Sequence, residues 1–221
     1  AVACFLLGAV ETAAIGRMLN AVRDNPERVE FVGYSTQRVR YLGFVISGFF
    51  APDEGRVLLD GRDVSRMPAH EICALGLCRT FQIVKPFGNL SVEDNVMIGA
   101  LTRLTSVSAA REEARRVVAL CRLEPFAASA ARSLPIGLRK RLEVARALAT
   151  RPRLLLLDEV MAGLNATELG EMITLIRSLH EEGVGLIIIE HIMAAMMRLA
   201  QRIVVLHHGE KIAEGTPESI A

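Results

Sequence analysis

Two adjacent carboxylates give the first chemical signal in this sequence. Asp158 and Glu159 directly follow a run of four leucines at positions 154–157. An uninterrupted apolar run of this kind predicts a strand that is buried on both faces, as the strands of parallel sheets are. Acids at the point where such a strand leaves the core suggest a magnesium ligand and a base that orients water.

The phosphate-binding loop that should accompany such acids is absent from the sequence. Nucleotide hydrolases combine them with G-x-x-x-x-G-K-[ST], whose backbone N–H groups and lysine cradle the phosphates. The chain has three lysines, and none of them follows a glycine: Lys85, Lys140 and Lys211. The loop therefore cannot be matched anywhere in the chain, and the meaning of the acids depends on the elements around them.

The composition excludes some functions and leaves others open. The 221 residues suffice for one large domain or two small ones, and 51% of them are hydrophobic. A net charge of +1 and an aromatic content of 5% give no support to a nucleic-acid partner. His70, Cys73 and Cys78 lie close together but fit no common zinc spacing, so we predict core or surface helix residues in a reducing setting.

The first 50 residues differ in character from the rest. Apolar runs at 1–10 and 41–52 are both shorter than the about 20 residues that a membrane-spanning helix needs. Between them lies an arginine-rich polar segment at 16–40, typical of a cytoplasmic loop between membrane helices. An amphipathic surface helix broken at Pro26 explains the pattern equally well.

Strand-like and helix-like runs alternate after this point. The pattern predicts a largely parallel sheet in an α/β fold. The predicted strands cover 56–64 with a turn at Asp60-Gly61, 154–158, 185–190 and a hairpin over 202–215 that turns at His208-Gly209. The predicted helices cover 68–76, 109–123 and 138–150.

Five motifs in a fixed order carry a family resemblance. They are RTFQ at 79–82, SLPIGLRKRLEVARALATRP at 133–152, LLLLDEV at 154–160, AGLN at 162–165 and IIIEH at 187–191. Together they resemble the ATP-binding subunit of an ABC transporter, and most of all the subunit that serves branched-chain amino acid importers. The resemblance covers residues from about 47 to 221. It implies an ABC-type P-loop NTPase fold with a helical subdomain, here incomplete because the central P-loop strand is missing.

The resemblance implies a role for each matching residue near the nucleotide. Asp158 and Gln82 would hold Mg²⁺, and Glu159 would polarise the attacking water. His191 would contact the γ-phosphate and link it to Glu159. ATP and Mg²⁺ are therefore the implied substrate and cofactor, although their binding by this chain is doubtful without the phosphate loop.

Two further motifs would face the opposite ATP-binding subunit. Leu134 and Gly137 lie in the counterpart of the signature motif, where a helix N-terminus points at the γ-phosphate of ATP held by that subunit. Asn165 lies in the counterpart of the loop that crosses to the partner. The family form has Ser-Gly-Gly-Gln after the leucine, whereas this chain has Pro135 and Ile136 before Gly137.

Residues 1–48 resemble a different protein, the permease subunit of the same importer class. The segment at 16–40 is similar to the cytoplasmic loop whose short helix docks on the ATPase. We therefore predict two units: a helical permease-like fragment at 1–48 and an ATP-binding domain at 49–221 that lacks its first strands and P-loop. Residues 46–48 fit both parents, so our hypothesis is a permease–ATPase fusion that lost everything between two similar segments.

The resemblance implies an importer component at the cytoplasmic face of the membrane. Its partners would be permease subunits and a second ATP-binding subunit. Without the phosphate loop we predict weak or no ATP hydrolysis by the chain alone, and reduced stability because the strands flanking the gap would be exposed. Two alternatives stay open: a non-hydrolysing subunit that lends its signature motif to a partner, and a permease-derived membrane interaction module.

Overall fold

A computed structural model of the protein describes residues 2–7, 37–81, 85–207 and 210–220. The strands are β1 (Val2–Leu7), β2 (Leu58–Leu59), β3 (Arg62–Asp63), β4 (Leu77–Arg79), β5 (Leu154–Asp158), β6 (Gly185–Glu190), β7 (Arg202–His207) and β8 (Glu210–Gly215). The α-helices are α1 (Gln37–Ile46), α2 (Ala69–Ala74), α3 (Val92–Ala100), α4 (Val107–Leu120), α5 (Ile136–Leu148), α6 (Ala166–Glu181), α7 (Met193–Leu199) and α8 (Pro217–Ile220). Two short 3-10 helices cover Glu124–Phe126 and Ala131–Ser133.

The predicted α/β fold with a largely parallel sheet is confirmed. Six strands form one sheet in the order β4-β5-β6-β1-β7-β8. The pairs from β4 to β7 are all parallel, and only β8 runs antiparallel to its neighbour β7. A separate two-stranded hairpin joins β2 and β3.

The expected gap at the centre of the sheet is filled, so that prediction is wrong. β1 lies between β6 and β7, where Cys4 pairs in register with Ile188 on one side and Ile203 on the other. The N-terminal segment therefore supplies a strand where a helix was expected, because a strand at this position pairs the backbone groups that β6 and β7 would otherwise leave open. α1 agrees with a helical segment, whereas residues 8–36 lie outside the described part of the chain. Within the described residues, no helix has the length and apolarity needed to cross a membrane.

The strong local patterns set the element boundaries well. β5 and β6 begin and end where the apolar runs predicted. Asp60 and Gly61 both have positive φ, 50° and 78°, as the predicted turn between β2 and β3 requires. α4 begins two residues before the predicted start because the Ser106 hydroxyl accepts a hydrogen bond from the Ala109 N–H. The predicted hairpin turn at His208-Gly209 lies outside the described residues.

The leucines of β5 show why this strand is apolar throughout. Leu155 and Leu157 belong to the main core, which also contains residues from α3, α4, α5 and α6. Leu156 points to the other face, where it packs with Ile189 and with Ile46 of α1. The sheet is thus covered on both faces at β5, and the strand ends with the two carboxylates at its edge.

Candidate functional site

The carboxyl ends of β5 and β6 bring several predicted site residues to one edge of the sheet. Asp158 pairs in register with Ile189, and the Glu159 N–H donates to the Ile189 carbonyl at 2.9 Å. Glu190 ends β6 and His191 follows it, at the same edge of the sheet as the two acids. Glu159 has a φ of 48°, a left-handed conformation that is uncommon for a residue with a side chain. Such backbone strain is typical of functional turns.

Asp158 does not face an open site, because an arginine holds its carboxylate. Oδ2 of Asp158 lies 2.5 Å from a guanidinium nitrogen of Arg79, and the two side chains are only 1% and 2% exposed. The same guanidinium stacks 4.0 Å over the Phe44 ring and donates to the Ser47 hydroxyl at 3.4 Å. A buried carboxylate needs a partner of opposite charge, and here the chain supplies it.

The residues present do not fit a magnesium ion in this arrangement. Mg²⁺ requires close to octahedral oxygen coordination, with one or two carboxylates and phosphate oxygens among the ligands. Oδ2 of Asp158 is taken by a cation, and Oδ1 is buried with no hydrogen-bond partner among the described residues. Within the same part of the chain no group of three or more His, Cys, Asp or Glu residues could hold a metal. Gln82, the other predicted ligand, lies outside the described residues.

Lys140 connects the predicted signature helix to the turn after β5. Its Nζ donates to the carbonyl of Glu159 at 2.9 Å and to that of Ala162 at 2.6 Å. Burial lowers the pKa of this ammonium group, while the charges of Glu190 and Glu159 act in the opposite direction. The bonds tie α5 to the backbone that carries Glu159. The sequence offered no clear sign of this role, because Lys140 stands between Arg139 and Arg141 on a helix rich in charged residues.

Glu190 is a buried acid that the sequence analysis did not single out. Its Oε1 accepts the Met161 N–H at 2.7 Å, and its Oε2 accepts the His191 N–H at 3.4 Å. Burial raises the pKa of this carboxyl to about 7, the two N–H donors oppose the change, and the nearby charge of Glu159 adds to it. Glu190 thereby joins the turn after β5 to the start of the segment after β6. An acid at the end of an apolar strand, directly before His191, is the sequence feature that could have revealed it.

His191 lies at the same edge, with its ring half exposed. Nδ1 is 3.9 Å from Oε2 of the neighbouring Glu190. An exposed imidazole at a strand end is placed where a ligand could reach it. The predicted link from this ring to a phosphate stays a prediction.

The predicted signature residues surround the start of α5. Leu134 is buried, and its carbonyl accepts a hydrogen bond from Nε of Arg139 at 2.7 Å. Pro135 stands at the N-cap and makes no side-chain cap, whereas Ile136, the first helical residue, is 51% exposed. The first N–H groups of a helix have no acceptor within it, and the side chain of Pro135 supplies none here.

Gly137 and Asn165 meet through Glu168. Asn165 is the N-cap of α6: its side chain accepts the Glu168 N–H at 3.0 Å, and Glu168 accepts the Asn165 N–H at 3.1 Å. This reciprocal pair is a capping box. A Cβ added at Gly137 would lie 2.7 Å from Cδ of Glu168, so the Glu168 side chain would have to move to admit it. The structure thus places Asn165 in a helix cap, and its predicted contact with a partner subunit stays a prediction.

Two family models match different parts of the chain. Residues 42–162 match the model described as ABC transporter. Residues 1–55 match the model described as branched-chain amino acid transport system, permease component. The two matches overlap at residues 42–55, around the point where the character of the sequence changes.

Individual relatives agree with the first model. The high-affinity branched-chain amino acid transport ATP-binding protein BraF of Pseudomonas aeruginosa is 35% identical over 79% of this chain and 75% of its own length. The corresponding protein LivG of Escherichia coli K12 is 34% identical with the same coverage. A crystal structure of an ATP-binding cassette of an ABC transporter, in its ADP conformation, superposes with a TM-score of 0.73 at 28% identity, over 82% of this chain and 77% of that one. The chain therefore belongs to the family of ABC transporter ATP-binding proteins.

Proposed function

We propose that this chain is an ATP-binding subunit of a branched-chain amino acid importer whose own nucleotide half-site is inactive. The names of its relatives support the importer class. The observation that carries the inactive half-site is the buried pair of Arg79 and Asp158, in which an arginine takes the carboxylate that the family uses for magnesium. The absence of any lysine after a glycine supports the same conclusion.

The proposed partners follow from the way the family works. Permease subunits form the membrane pathway, and a second ATP-binding subunit forms the dimer at the cytoplasmic face of the membrane. Hydrolysis by this chain alone is weak or absent, because a phosphoryl group would meet neither a P-loop lysine nor a magnesium-bearing carboxylate.

A non-hydrolysing role is supported by the state of α5. Pro135 gives its first turn no side-chain cap, Ile136 is exposed there, and Lys140 anchors the helix to the turn after β5. This half of the site needs no P-loop of its own. The chain can therefore contribute its signature motif to a partner that brings the P-loop and the ATP.

The domain division is part of the proposal. By origin, residues 1–48 are the permease-like fragment and residues 49–221 are the ATP-binding domain without its P-loop, while in the fold β1 of the first segment is a strand of the common sheet. Sequencing the source DNA across the codons for residues 40–60 tests the deletion hypothesis. We expect the parent reading frame to carry a glycine-rich loop ending in Lys-Ser or Lys-Thr between the two segments, and its absence there would refute the deletion.

ATP turnover in a mixture tests the non-hydrolysing role. The probe is a homologous ATP-binding subunit with an intact P-loop and a disabled signature motif, measured with and without this chain. We expect no ATP turnover by this chain alone. In the mixture we expect at least about tenfold stimulation of turnover, which is less than the rate effect of a single positioned hydrogen-bond donor that stabilises charge in a transition state. Turnover by the chain alone at the level of its competent relatives would contradict the proposal.

A matched pair of variants locates the effect at α5. Ile136→Glu places a negative charge where the partner's phosphate would approach, so we expect it to abolish the stimulation. Val107→Glu makes the same kind of change at the first residue of another helix, and the two side chains are similarly exposed at 51% and 59%. We expect this control to stimulate like the unmodified chain, and equal losses in both variants would argue against a role for α5.

A further inference from the structure

A crevice between three helices is not used by the proposed function. It has a volume of about 300 Å³ and lies where the end of α4 meets α5 and α6. This volume is at the lower end of the range of about 300–1,000 Å³ that small-molecule sites occupy, so the crevice has room for a small ligand. The lining residues that carry its chemistry are Leu120, Arg122, Arg141, Glu171, Thr174 and Leu175.

One of the two arginines in the crevice is already paired. A guanidinium nitrogen of Arg141 forms a salt bridge with Oε2 of Glu171. The Arg141 side chain is nearly buried, whereas that of Glu171 is about half exposed. The charges of this pair cancel, so Arg122 leaves the lining of the crevice with one net positive charge.

Arg122 is the cation whose charge is not compensated. Its side chain is exposed, and its guanidinium has no hydrogen-bond or salt-bridge partner in the part of the chain that the structure describes. Its N–H donates to the Ala119 carbonyl at 2.9 Å, and its φ is 54°. Glycine usually takes this left-handed position after a helix, because a Cβ there costs conformational energy. The arginine side chain therefore supplies something that the turn itself does not require.

The hydroxyl groups of α6 in the crevice already use their protons. Oγ1 of Thr174 donates to the Gly170 carbonyl at 3.0 Å, and Oγ of Ser178 donates to the Leu175 carbonyl at 2.8 Å. The N–H groups of Arg122 are therefore the side-chain donors that a ligand would find without a partner. A guanidinium matches a carboxylate in both shape and charge.

We propose that this crevice binds a small monocarboxylate with an apolar tail. The carboxylate accepts hydrogen bonds from the Arg122 guanidinium, and the tail lies against Leu120 and Leu175. A single negative charge balances the net charge of the lining, whereas a phosphate dianion exceeds it and leaves the apolar wall uncovered. A zwitterionic amino acid needs Glu171 for its ammonium group, and that carboxylate is bound to Arg141.

The proposed site is independent of the proposed importer role. It consists of side chains at the end of α4, on α5 and on α6, and the binding that it predicts requires neither ATP nor a partner subunit. A failure to bind a carboxylate would therefore leave the proposed function untouched, and the reverse also holds.

An NMR titration of the full chain tests the proposal, with hexanoate as the probe. We expect hexanoate to shift the backbone amides of residues 119–122 and 171–178, with a Kd on the order of 1 mM because it has few non-hydrogen atoms. Hexanamide has the same tail without the charge, and acetate has the charge without the tail. Each should bind at least about tenfold more weakly than hexanoate. The proposal is overturned if hexanamide binds as tightly as hexanoate, or if leucine binds more tightly, which would make this an amino-acid site.

Two substitutions at Arg122 locate the binding. Arg122→Gly removes the guanidinium where the backbone favours glycine, so the melting temperature should not fall, and Arg122→Gln keeps a polar side chain. We expect both variants to lose at least about tenfold in affinity for hexanoate. Arg115→Gln is the matched control, because Arg115 lies on α4 outside the crevice, and it should bind like the unmodified chain. Unchanged affinity in both Arg122 variants would overturn the proposal.

Glu171→Gln changes the affinity in the opposite direction. It removes the negative charge that compensates Arg141, so the lining gains a second net positive charge. We expect hexanoate to bind at least about threefold more tightly to this variant than to the unmodified chain. Weaker binding would mean that Glu171 itself contacts the ligand, which contradicts a site for a simple monocarboxylate.

Discussion

Lys140 joins the carboxyl end of β5 to α5, yet the carboxyl end of β5 and the amino end of α5 differ in whether the chain itself supplies a partner for their polar groups. At the end of β5, the charge of Asp158 is satisfied by Arg79 of the same chain, inside the protein. At the start of α5, Pro135 provides no side-chain cap and Ile136 is exposed. The charge at the first end is paired within the chain, whereas the second end has an exposed apolar side chain and no cap from Pro135.

This difference supports the proposal that the chain keeps one half of a shared site. The nucleotide of an ABC dimer lies between the P-loop of one subunit and the signature motif of the other. Closure of the β5 end removes the need for magnesium to compensate the buried carboxylate, so the sheet edge is stable without a nucleotide. The α5 end needs only to be held in place, and Lys140 does this through the carbonyls of Glu159 and Ala162.

The largest expected effect is on the closed end. Arg79→Met leaves the buried carboxylate of Asp158 without its counter-charge, and we expect a loss of about 3–5 kcal/mol in the free energy of unfolding. Urea denaturation of the full chain measures it. In the double variant Arg79→Met/Asp158→Leu neither charge of the pair remains, so most of that loss should be recovered.

An exposed ion pair is the matched control for this prediction. Arg115 bonds to Glu93 at 3.2 Å, but its side chain is 67% exposed. Arg115→Met should therefore cost less than about 1 kcal/mol. If Arg79→Met costs no more than Arg115→Met, Asp158 does not depend on its arginine and the contrast between the two ends is lost.

The second expected effect is a pH dependence at the neighbouring strand end. Burial raises the pKa of Glu190 to about 7 from its ordinary value of 4.5, so the folded chain keeps this proton where the unfolded chain has lost it. The contribution of this group to stability is therefore fully present below pH 4.5 and is lost as the pH rises towards 7. We expect a slope of up to about 1.4 kcal/mol per pH unit in this window. Unfolding free energies measured between pH 5 and pH 8 give the slope.

Glu190→Gln removes the ionisation but keeps an oxygen for the Met161 N–H. Its stability should fall less between pH 5 and 7 than that of the unmodified chain, because a neutral amide loses no proton. Glu112→Gln makes the same change on the exposed face of α4 and should leave the slope unaltered. Parallel curves for Glu190→Gln and the unmodified chain would show that Glu190 is not the group responsible.

The sequence predicted those parts of the fold that local pattern determines. The apolar runs predicted both ends of β5 and of β6 correctly, because a strand that is buried on both faces is apolar at nearly every position. The motif order placed Asp158, Glu159 and His191 at strand ends because parallel strands end at the same edge. These inferences needed only nearby residues.

What the sequence did not predict depends on residues that are distant along the chain. Arg79 and Asp158 are 79 positions apart, and no local pattern shows that the arginine folds onto the acid. Glu190 ends an apolar strand and Lys140 lies on a charged helix, but the backbone groups that these two side chains bind are fixed only by packing. β1 is the clearest case: its apolar run also fits a helix, and only its pairing with β6 and β7 selects the strand.

The smallest expected effect concerns the open end, where Gly137 approaches α6. Gly137→Ala would place its Cβ 2.7 Å from Cδ of Glu168, so that side chain must move and its bond to the Asn165 N–H is lost. We expect a loss of about 1 kcal/mol in the free energy of unfolding, typical of a weakened helix cap. Glu168→Ala removes the same bond, so the double variant should cost little more than either single change. Additive losses in this cycle would mean that Gly137 is required by something other than the cap, and that the start of α5 is less open than its geometry indicates.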